Sequence, residues 1–150
     1  MIKTLLGILS VVILFAGCSK EKVPEPKSSL TTSGLTKEQL EKGIGPVKSV
    51  TLNPIDAGLA AKGKSVFELK CSACHKIDAR LVGPPLKGVT ERRKPEFIMN
   101  MILNPDEMVK KHPEVKKLLA EYYIPMTFQN VTREEARSVL EYFRSIDQQD

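Results

Sequence analysis

The feature that most constrains the fold is a dense cluster of reactive side chains in ELKCSACHKID, residues 68–78. Two of the three cysteines, Cys71 and Cys74, and one of the two histidines, His75, fall within five consecutive residues. Two thiols and an imidazole at this spacing suit a disulfide, a zinc site or the covalent attachment of a cofactor. Each of these uses requires the chain to fold around residues 71–75.

The rest of the sequence gives little support to a disulfide or to a zinc site. C-x-x-C pairs are usually redox-active, and no strand and helix pattern of a thioredoxin-like domain surrounds this one. A zinc site needs four ligands, and beyond Cys71, Cys74 and His75 the chain offers only His112 and carboxylates, because Cys18 has another assignment given below. Both alternatives stay open on the sequence alone.

The third use is favoured, because C-x-x-C-H is the recognised pattern for covalent haem attachment. Two vinyl groups on one porphyrin edge accept the thiols as thioethers, and the next residue can then bring its imidazole to the iron. The pattern predicts one haem c per chain, bonded to Cys71 and Cys74, with His75 as proximal ligand. A domain of this size without tryptophan has a modest core, so we expect the apo-protein to be largely unfolded.

The segments that flank the motif have distinct patterns. Apolar spacing predicts a helix that begins at about Pro54 or Asp56 and runs into the motif. Gly63 costs such a helix up to about 1 kcal/mol relative to alanine, which indicates the close approach of another backbone. The stretch LVGPPLKG, residues 81–88, is too rich in glycine and proline to be helical.

With these elements the chain resembles the class I c-type cytochromes, a small all-α fold wrapped around one covalently attached haem. Their first helix carries a glycine and an aromatic residue before C-x-x-C-H, here Gly63 and Phe67, and a Gly-Pro-x-Leu loop follows, here residues 83–86. The resemblance implies that the Pro84 carbonyl accepts a hydrogen bond from the free ring nitrogen of His75, which fixes the ring orientation.

The same family completes the iron coordination with a methionine from a loop before the last helix. Met126 lies in YYIPMTFQNVT, after Pro125, which cannot continue a helix, and before a capping-box start at Thr132. Met126 is therefore expected to be the second iron ligand. Three other methionines lie in helix-like windows and are predicted to fill the core: Met99, Met101 and Met108.

His112 is the main alternative ligand and would give a bis-histidine haem. The sequence KKHPEV instead predicts an exposed helix start there, with Pro113 at the first helical position.

Two further helices are predicted after residue 112, each with one apolar face. The first face comprises Val115, Leu118, Leu119 and Tyr122, and the second comprises Ala136, Val139, Leu140 and Phe143. By the family resemblance the last helix crosses the first, where Val139 and Tyr142 would meet Gly63 and Phe67. A capping box at Thr36 and Gln39 indicates that the ordered region starts near Leu35.

The N-terminus has the layout of a secretory signal, predicted over residues 1–17: Lys3 precedes an apolar run from Leu5 to Phe15. That run is shorter than the roughly 18 residues that a spanning helix needs. The stretch LFAGC resembles a bacterial lipobox, with Phe15 where leucine is usual, and implies lipidation of Cys18. A plain cleaved signal is the alternative. Residues 18–34 are polar and read as a flexible tether to a haem domain at residues 35–150.

Charge suggests the class of partner. Between Lys62 and Lys94 nine lysines or arginines face three acidic residues, whereas residues 132–150 hold three arginines and five acids. Positive charge beside the haem motif would speed encounter with redox proteins that have acidic docking surfaces. An exported protein is not expected to meet nucleic acid, and solvated lysines with no partner remain the alternative.

These observations predict a membrane-tethered one-electron carrier, not an enzyme. An iron with both axial positions filled by His75 and Met126 has no position for a small-molecule substrate. Two alternatives stay open: a five-coordinate haem enzyme or gas-binding protein, and a cytochrome subunit of a larger oxidoreductase complex. The expected location is the periplasmic side or the cell surface.

Overall fold

A computed structural model describes residues 33–148 of the 150-residue chain. The predicted signal peptide (1–17), Cys18 and most of the predicted tether lie outside these residues. Within them, no helix has the length and apolarity needed to cross a bilayer. The described helices are α1 (Lys37–Lys42), α2 (Ala57–Lys70), α3 (Val89–Arg92), α4 (Pro95–Leu103), α5 (Pro105–Lys111), α6 (Pro113–Tyr122) and α7 (Arg133–Asp147).

The main core lies where α2 crosses α7. Gly63 faces α7 so closely that a Cβ there would lie 1.9 Å from the Ser138 carbonyl oxygen and 2.9 Å from the Val139 nitrogen. One turn later Phe67 packs against Tyr142 and Phe143, with ring centroids 5.7 and 5.8 Å apart. The close approach predicted at Gly63 is confirmed, as are the predicted buried residues of α7: Ala136, Val139, Leu140 and Phe143.

The segment before α2 is fastened across α4 and α5. Asn100, 1% exposed, accepts from the Val47 amide and donates to the carbonyls of Val47 and Lys42, each at 2.9 Å. The Met108 sulfur accepts from the Ile44 amide at 3.0 Å. These bonds satisfy buried polar groups on both sides, so the segment is an integral part of the domain. The capping box predicted at the start of α1 is present.

The exposed position predicted for His112 is wrong. Its side chain is fully buried at the start of α6, where Pro113 does take the first helical position. Its Nε2 lies 3.1 Å from the Leu40 carbonyl oxygen, and its ring packs edge-on against Phe97 at 5.1 Å. The sequence around residue 112 does not predict this burial, because the residues that cover His112 belong to α1, far away in the chain.

The apolar face predicted for α6 is only partly buried: of its members, Val115 alone is in the core.

The burial of His112 predicts a pH dependence of stability. Burial, followed by the Arg93 charge, lowers the His112 pKa below its ordinary value of 6.5, against the opposing Leu40 and Gln39 carbonyls and Glu114. The unfolded chain therefore binds the extra proton first, and stability falls as the pH drops below about 6.5. The extra slope from this one group is at most about 1.4 kcal/mol per pH unit, the value for a difference of one bound proton.

Denaturant unfolding of the haem-loaded protein at several pH values measures this slope. His112→Asn should remove it, since asparagine also suits the helix N-cap but does not titrate. An unchanged slope in this variant would assign the pH dependence to other groups.

Candidate haem site

The C-x-x-C-H motif forms a tight turn at the end of α2. The Cys71 amide still donates to the Phe67 carbonyl at 2.9 Å, and the His75 amide donates to the Cys71 carbonyl at 2.9 Å. Helix α2 ends at Lys70, and these two bonds place Cys71 and His75 on consecutive turns of the chain. The packing of Phe67 on α7 fixes the direction from which this turn starts.

The His75 ring is held by the loop that follows it. Its Nδ1 lies 3.1 Å from the Pro84 carbonyl oxygen, so the nitrogen donates the hydrogen bond that the resemblance implied. Gly83 lies directly against the ring, since a Cβ there would lie 2.4 Å from the His75 Cε1 atom. Within the described residues nothing bonds Nε2. The imidazole therefore has a fixed orientation and one nitrogen free for a metal.

The two cysteine side chains are free thiols, with Cys71 half-buried and Cys74 exposed. Burial raises the pKa of Cys71 to about 11. A redox-active dithiol needs a low-pKa thiolate, so this environment does not favour that alternative. The zinc alternative also lacks support, because no group of three or more metal-binding His, Cys, Asp or Glu occurs among residues 33–148.

Met126 lies in the loop between α6 and α7, residues 123–131, which we call the Met loop. Its side chain is half-buried, whereas Met99 and Met108 are buried core residues, as predicted. The loop is bracketed by Tyr123 and Asn130, both with left-handed backbones at φ 64° and 51°. Among residues 33–148, no backbone–backbone hydrogen bond joins residues 124–131 to the rest of the domain.

These residues fit a covalently bound haem. Two free thiols flank one turn, and a histidine with a fixed ring and a free nitrogen follows directly. The segments after the motif and after α6 also leave large apolar side chains exposed: Leu81 (44%), Tyr123 (83%), Ile124 (59%) and Phe128 (45%). A bound porphyrin is a large apolar group, and packing against it would remove these exposed side chains from water. Fold and site together define an all-α protein that carries haem on a C-x-x-C-H turn.

The chain belongs to the cytochrome c family, since the family model described as Cytochrome c matches residues 60–147. A cytochrome c-553-like protein of Synechocystis sp. is 35% identical over 48 residues. That match covers 31% of this chain and 46% of the relative, so the chain spans less than half the length of this curated relative.

Solved structures extend the likeness over most of the described residues. A cytochrome c from Rhodothermus marinus is 46% identical with a TM-score of 0.72, covering 75% of this chain and 98% of that one. An engineered form of that cytochrome, bound to a carbene intermediate, is 46% identical with a TM-score of 0.68 over 74% of this chain and 97% of that one. The predicted all-α class I fold and haem c are confirmed, and electron transfer is the role of the family.

The sequence did not predict the contacts of two cations that flank His75. One of them reaches the Met loop, and the other reaches the end of α6. Lys70 and Arg80 stand five residues before and after His75. Lys70 bonds the Asn130 carbonyl, and Arg80 bonds the Glu121 carbonyl. Their positions in the sequence carry no signal of this, because both partners follow more than 40 residues later.

Proposed function

We propose that this protein is a membrane-tethered one-electron carrier whose haem iron is held by His75 and Met126. The observation that carries the proposal is the fixed His75 ring, with Nδ1 donating to the Pro84 carbonyl at 3.1 Å. When bound, the haem supplies an iron that gains or loses one electron. With a protein side chain on each side, the site has no position for a substrate, which favours electron transfer over catalysis.

Each site residue has a separate role in this proposal. Cys71 and Cys74 make the attachment permanent, and the Pro84 carbonyl raises the basicity of His75. The thioether of Met126 is a soft ligand that raises the reduction potential relative to a second histidine. Met126 is favoured over His112 because His112 is buried between Phe97 and the Leu40 carbonyl.

We also propose an exported location and a lipid anchor at Cys18, on the periplasmic side or at the cell surface. The support is the sequence: an apolar run ends in LFAGC, and a polar stretch over residues 18–34 follows. A chain of about 17 residues reaches roughly 20 to 25 Å root-mean-square, which would let the haem domain turn toward different partners.

Acidic docking surfaces on redox proteins are the partner class that we propose. Ion pairs partly neutralise the positive charge of the 62–94 segment. Four of its cations pair with carboxylates from other parts of the chain: Glu41, Glu114, Glu121 and Glu135. Among the described residues, Lys62, Lys76 and Arg92 of this segment have no ion pair and keep it basic. Such charges steer encounter and are screened by salt.

Met126→Ala tests the ligand assignment. The oxidised wild-type protein should show the weak near-infrared sulfur-to-iron band, and the variant should lose it, bind carbon monoxide readily when reduced, and drop in reduction potential on the order of 0.1 V. Met101→Ala is the matched control, since Met101 lies half-buried on α4 and should leave the band in place. If Met126→Ala keeps the wild-type spectrum, Met126 is not a ligand.

The alternatives make different predictions for the same samples. A five-coordinate haem enzyme or gas-binding protein would bind carbon monoxide without any mutation. This candidate has one specific support, namely the engineered relative that is bound to a carbene intermediate. A subunit of a larger oxidoreductase would not act as a stable monomer that exchanges electrons with soluble partners.

A further inference from the structure

We propose that a basic pocket at the start of the described chain binds the phosphate of an anionic phospholipid headgroup and so turns the haem side of the domain away from the bilayer. This lysine pocket lies between α1 and the junction of α5 and α6, and its polar lining comprises Ser33, Gly34, Gln39, Lys110, Lys111 and Lys116. The inference deepens the proposed function, because it rests on the lipid anchor proposed at Cys18.

The charge of the lysine pocket is of one sign. Three of its eight lining residues are exposed lysines, and in the part of the chain that the structure describes no carboxylate lines it. Within residues 33–148 Lys110 and Lys116 form no ion pair, whereas Lys111 pairs with Glu107, the two side chains being 56% and 37% exposed. Such an exposed pair is weak, so all three ammonium groups can attract an anion. Lysines of this kind suit a phosphate, whose negative charge is concentrated.

The size and the remaining lining suit a headgroup rather than a bare ion. The pocket has a volume of about 390 Å³, which lies in the range of small-molecule sites. The Gln39 side-chain oxygen accepts from the Thr36 amide at 3.0 Å, so the NH₂ group of Gln39 is left to donate to a ligand. Leu35 and Ile44 add an apolar wall that can pack against the glycerol carbons of a phospholipid.

The pocket lies where the predicted tether joins the domain. Ser33, one of its lining residues, follows Cys18 by 15 residues. A flexible chain of that length reaches roughly 20 Å root-mean-square, so an anchor at Cys18 would hold the pocket close to the bilayer surface. Because the anchor supplies a high effective concentration, weak binding of each headgroup is enough to orient the domain.

Helix α6 separates the lysine pocket from the haem site. It begins at Pro113, beside the pocket, and ends at Tyr122, where the Met loop follows. A helix of ten residues is about 15 Å long, so the pocket and the Met loop lie at opposite ends of it. A domain that rests on lipid through the pocket therefore presents the Met loop to partners on the solvent side.

Much of the pocket lies outside the part of the chain that matches the family model. Residues 33–44 supply five of the eight lining residues, whereas the match begins at residue 60. The pocket thus depends on the N-terminal segment that Asn100 and Met108 fasten to the domain, and not on the haem-binding elements.

Vesicle co-sedimentation of the haem-loaded mature chain with Cys18→Ser measures the pocket alone, because this form carries no acyl chain. It should bind vesicles that contain phosphatidylglycerol and not vesicles of phosphatidylcholine. Lys110→Gln/Lys116→Gln should weaken this binding about tenfold or more, and added salt should weaken it further. An unchanged haem spectrum shows that the variant is folded.

Lys62→Gln/Lys76→Gln is the matched control, since it removes the same charge from lysines of the haem-binding segment that form no ion pair within residues 33–148. Its binding to the same vesicles should stay close to that of the parent chain. Equal losses in the two double variants would show attraction by overall charge and would overturn the pocket.

Acetylation by a water-soluble reagent tests the orientation. On vesicles that contain phosphatidylglycerol, Lys110 and Lys116 should react several-fold more slowly than in solution, whereas Lys62 and Lys76 should react at the same rate in both. Protection of Lys62 and Lys76 instead would mean that the haem-binding segment faces the lipid, contrary to the proposal.

Inorganic phosphate is the other source of the same chemistry, and calorimetry with phosphate alone distinguishes it. Phosphate binding that Lys110→Gln/Lys116→Gln abolishes, without any preference for phosphatidylglycerol vesicles, would assign the pocket to a soluble anion and overturn the membrane role. The anchor is tested separately by the mass of the exported wild-type chain. A chain without acyl groups would refute lipidation of Cys18, while the vesicle measurement still decides the pocket.

Discussion

Gly63→Ala is expected to cost about 3 kcal/mol or more of folding stability, although it changes one hydrogen into a methyl group in a helix. The added Cβ would lie 1.9 Å from the Ser138 carbonyl oxygen, an atom of the α7 backbone that cannot rotate away. Helix α2 must move off α7, which opens the packing around Phe67. Denaturant unfolding of the haem-loaded variant measures the loss.

Gly58→Ala provides a control in the same helix. Its Cβ would meet the Asp56 side-chain oxygen at 3.3 Å and no atom of α7. That oxygen caps α2 by accepting from the Leu59 amide at 2.9 Å, so a small shift of the cap offsets the gain in helix propensity. We expect the stability of this variant to stay within about 1 kcal/mol of wild type. Equal stabilities of the two variants would show that the crossing tolerates a side chain at position 63.

The crossing also links stability to the site. Cys71 directly follows the last turn of α2, so a shift of this helix displaces the thiol, the His75 ring and Lys70 together. We therefore expect Gly63→Ala to weaken the contacts of Lys70 with Glu135 as well as the core. A domain with a net stability of about 5 to 15 kcal/mol has little margin for such a change.

The parts of the site that depend on local order could be predicted from the sequence. The motif turn, the glycine of the helix crossing and the loop position of Met126 follow from spacing, proline and capping signals within a few residues. The hydrogen bond from His75 to the Pro84 carbonyl came from the family resemblance and is present in the structure.

Features that depend on distant segments could not be predicted in this way. His112 is buried because Leu40, 72 residues earlier, lies over it. In the positive segment 62–94, four cations form ion pairs with carboxylates from other parts of the chain, the most distant in sequence being Glu135. Local patterns say which residues favour a helix, but not which helices meet, since that depends on packing of the whole chain.

The Cys71→Ser/Cys74→Ser double variant is expected to lose the haem and, with it, most of the folded structure. These thiols are the two cysteine side chains among residues 33–148, and serine cannot form the thioethers. Acid extraction of the denatured wild-type chain should leave the haem mass on the polypeptide, whereas the variant should have the mass of the bare chain. Its far-ultraviolet circular dichroism should fall toward that of an unfolded protein.

We expect the haem-free double variant to unfold because the hydrophobic core of the domain is small. The buried hydrophobic side chains form two separate clusters, one around Phe67 and α7 and one around Phe97 and Met108. The exposed apolar residues of the Met loop, Tyr123, Ile124 and Phe128, belong to neither cluster of buried residues. A bound porphyrin would join these surfaces, and a domain of this size has little other apolar area with which to offset its chain entropy.

Cys18→Ser is the matched control, because it removes the third cysteine, outside the described residues, and should leave the haem mass unchanged. A single Cys71→Ser or Cys74→Ser variant should retain haem through one thioether and lose part of its stability. A double serine variant that keeps the haem mass after extraction would show that other residues attach the group. A double variant that loses the mass but stays helical would show instead that the two clusters suffice to fold the chain, and that the haem adds function without being required for structure.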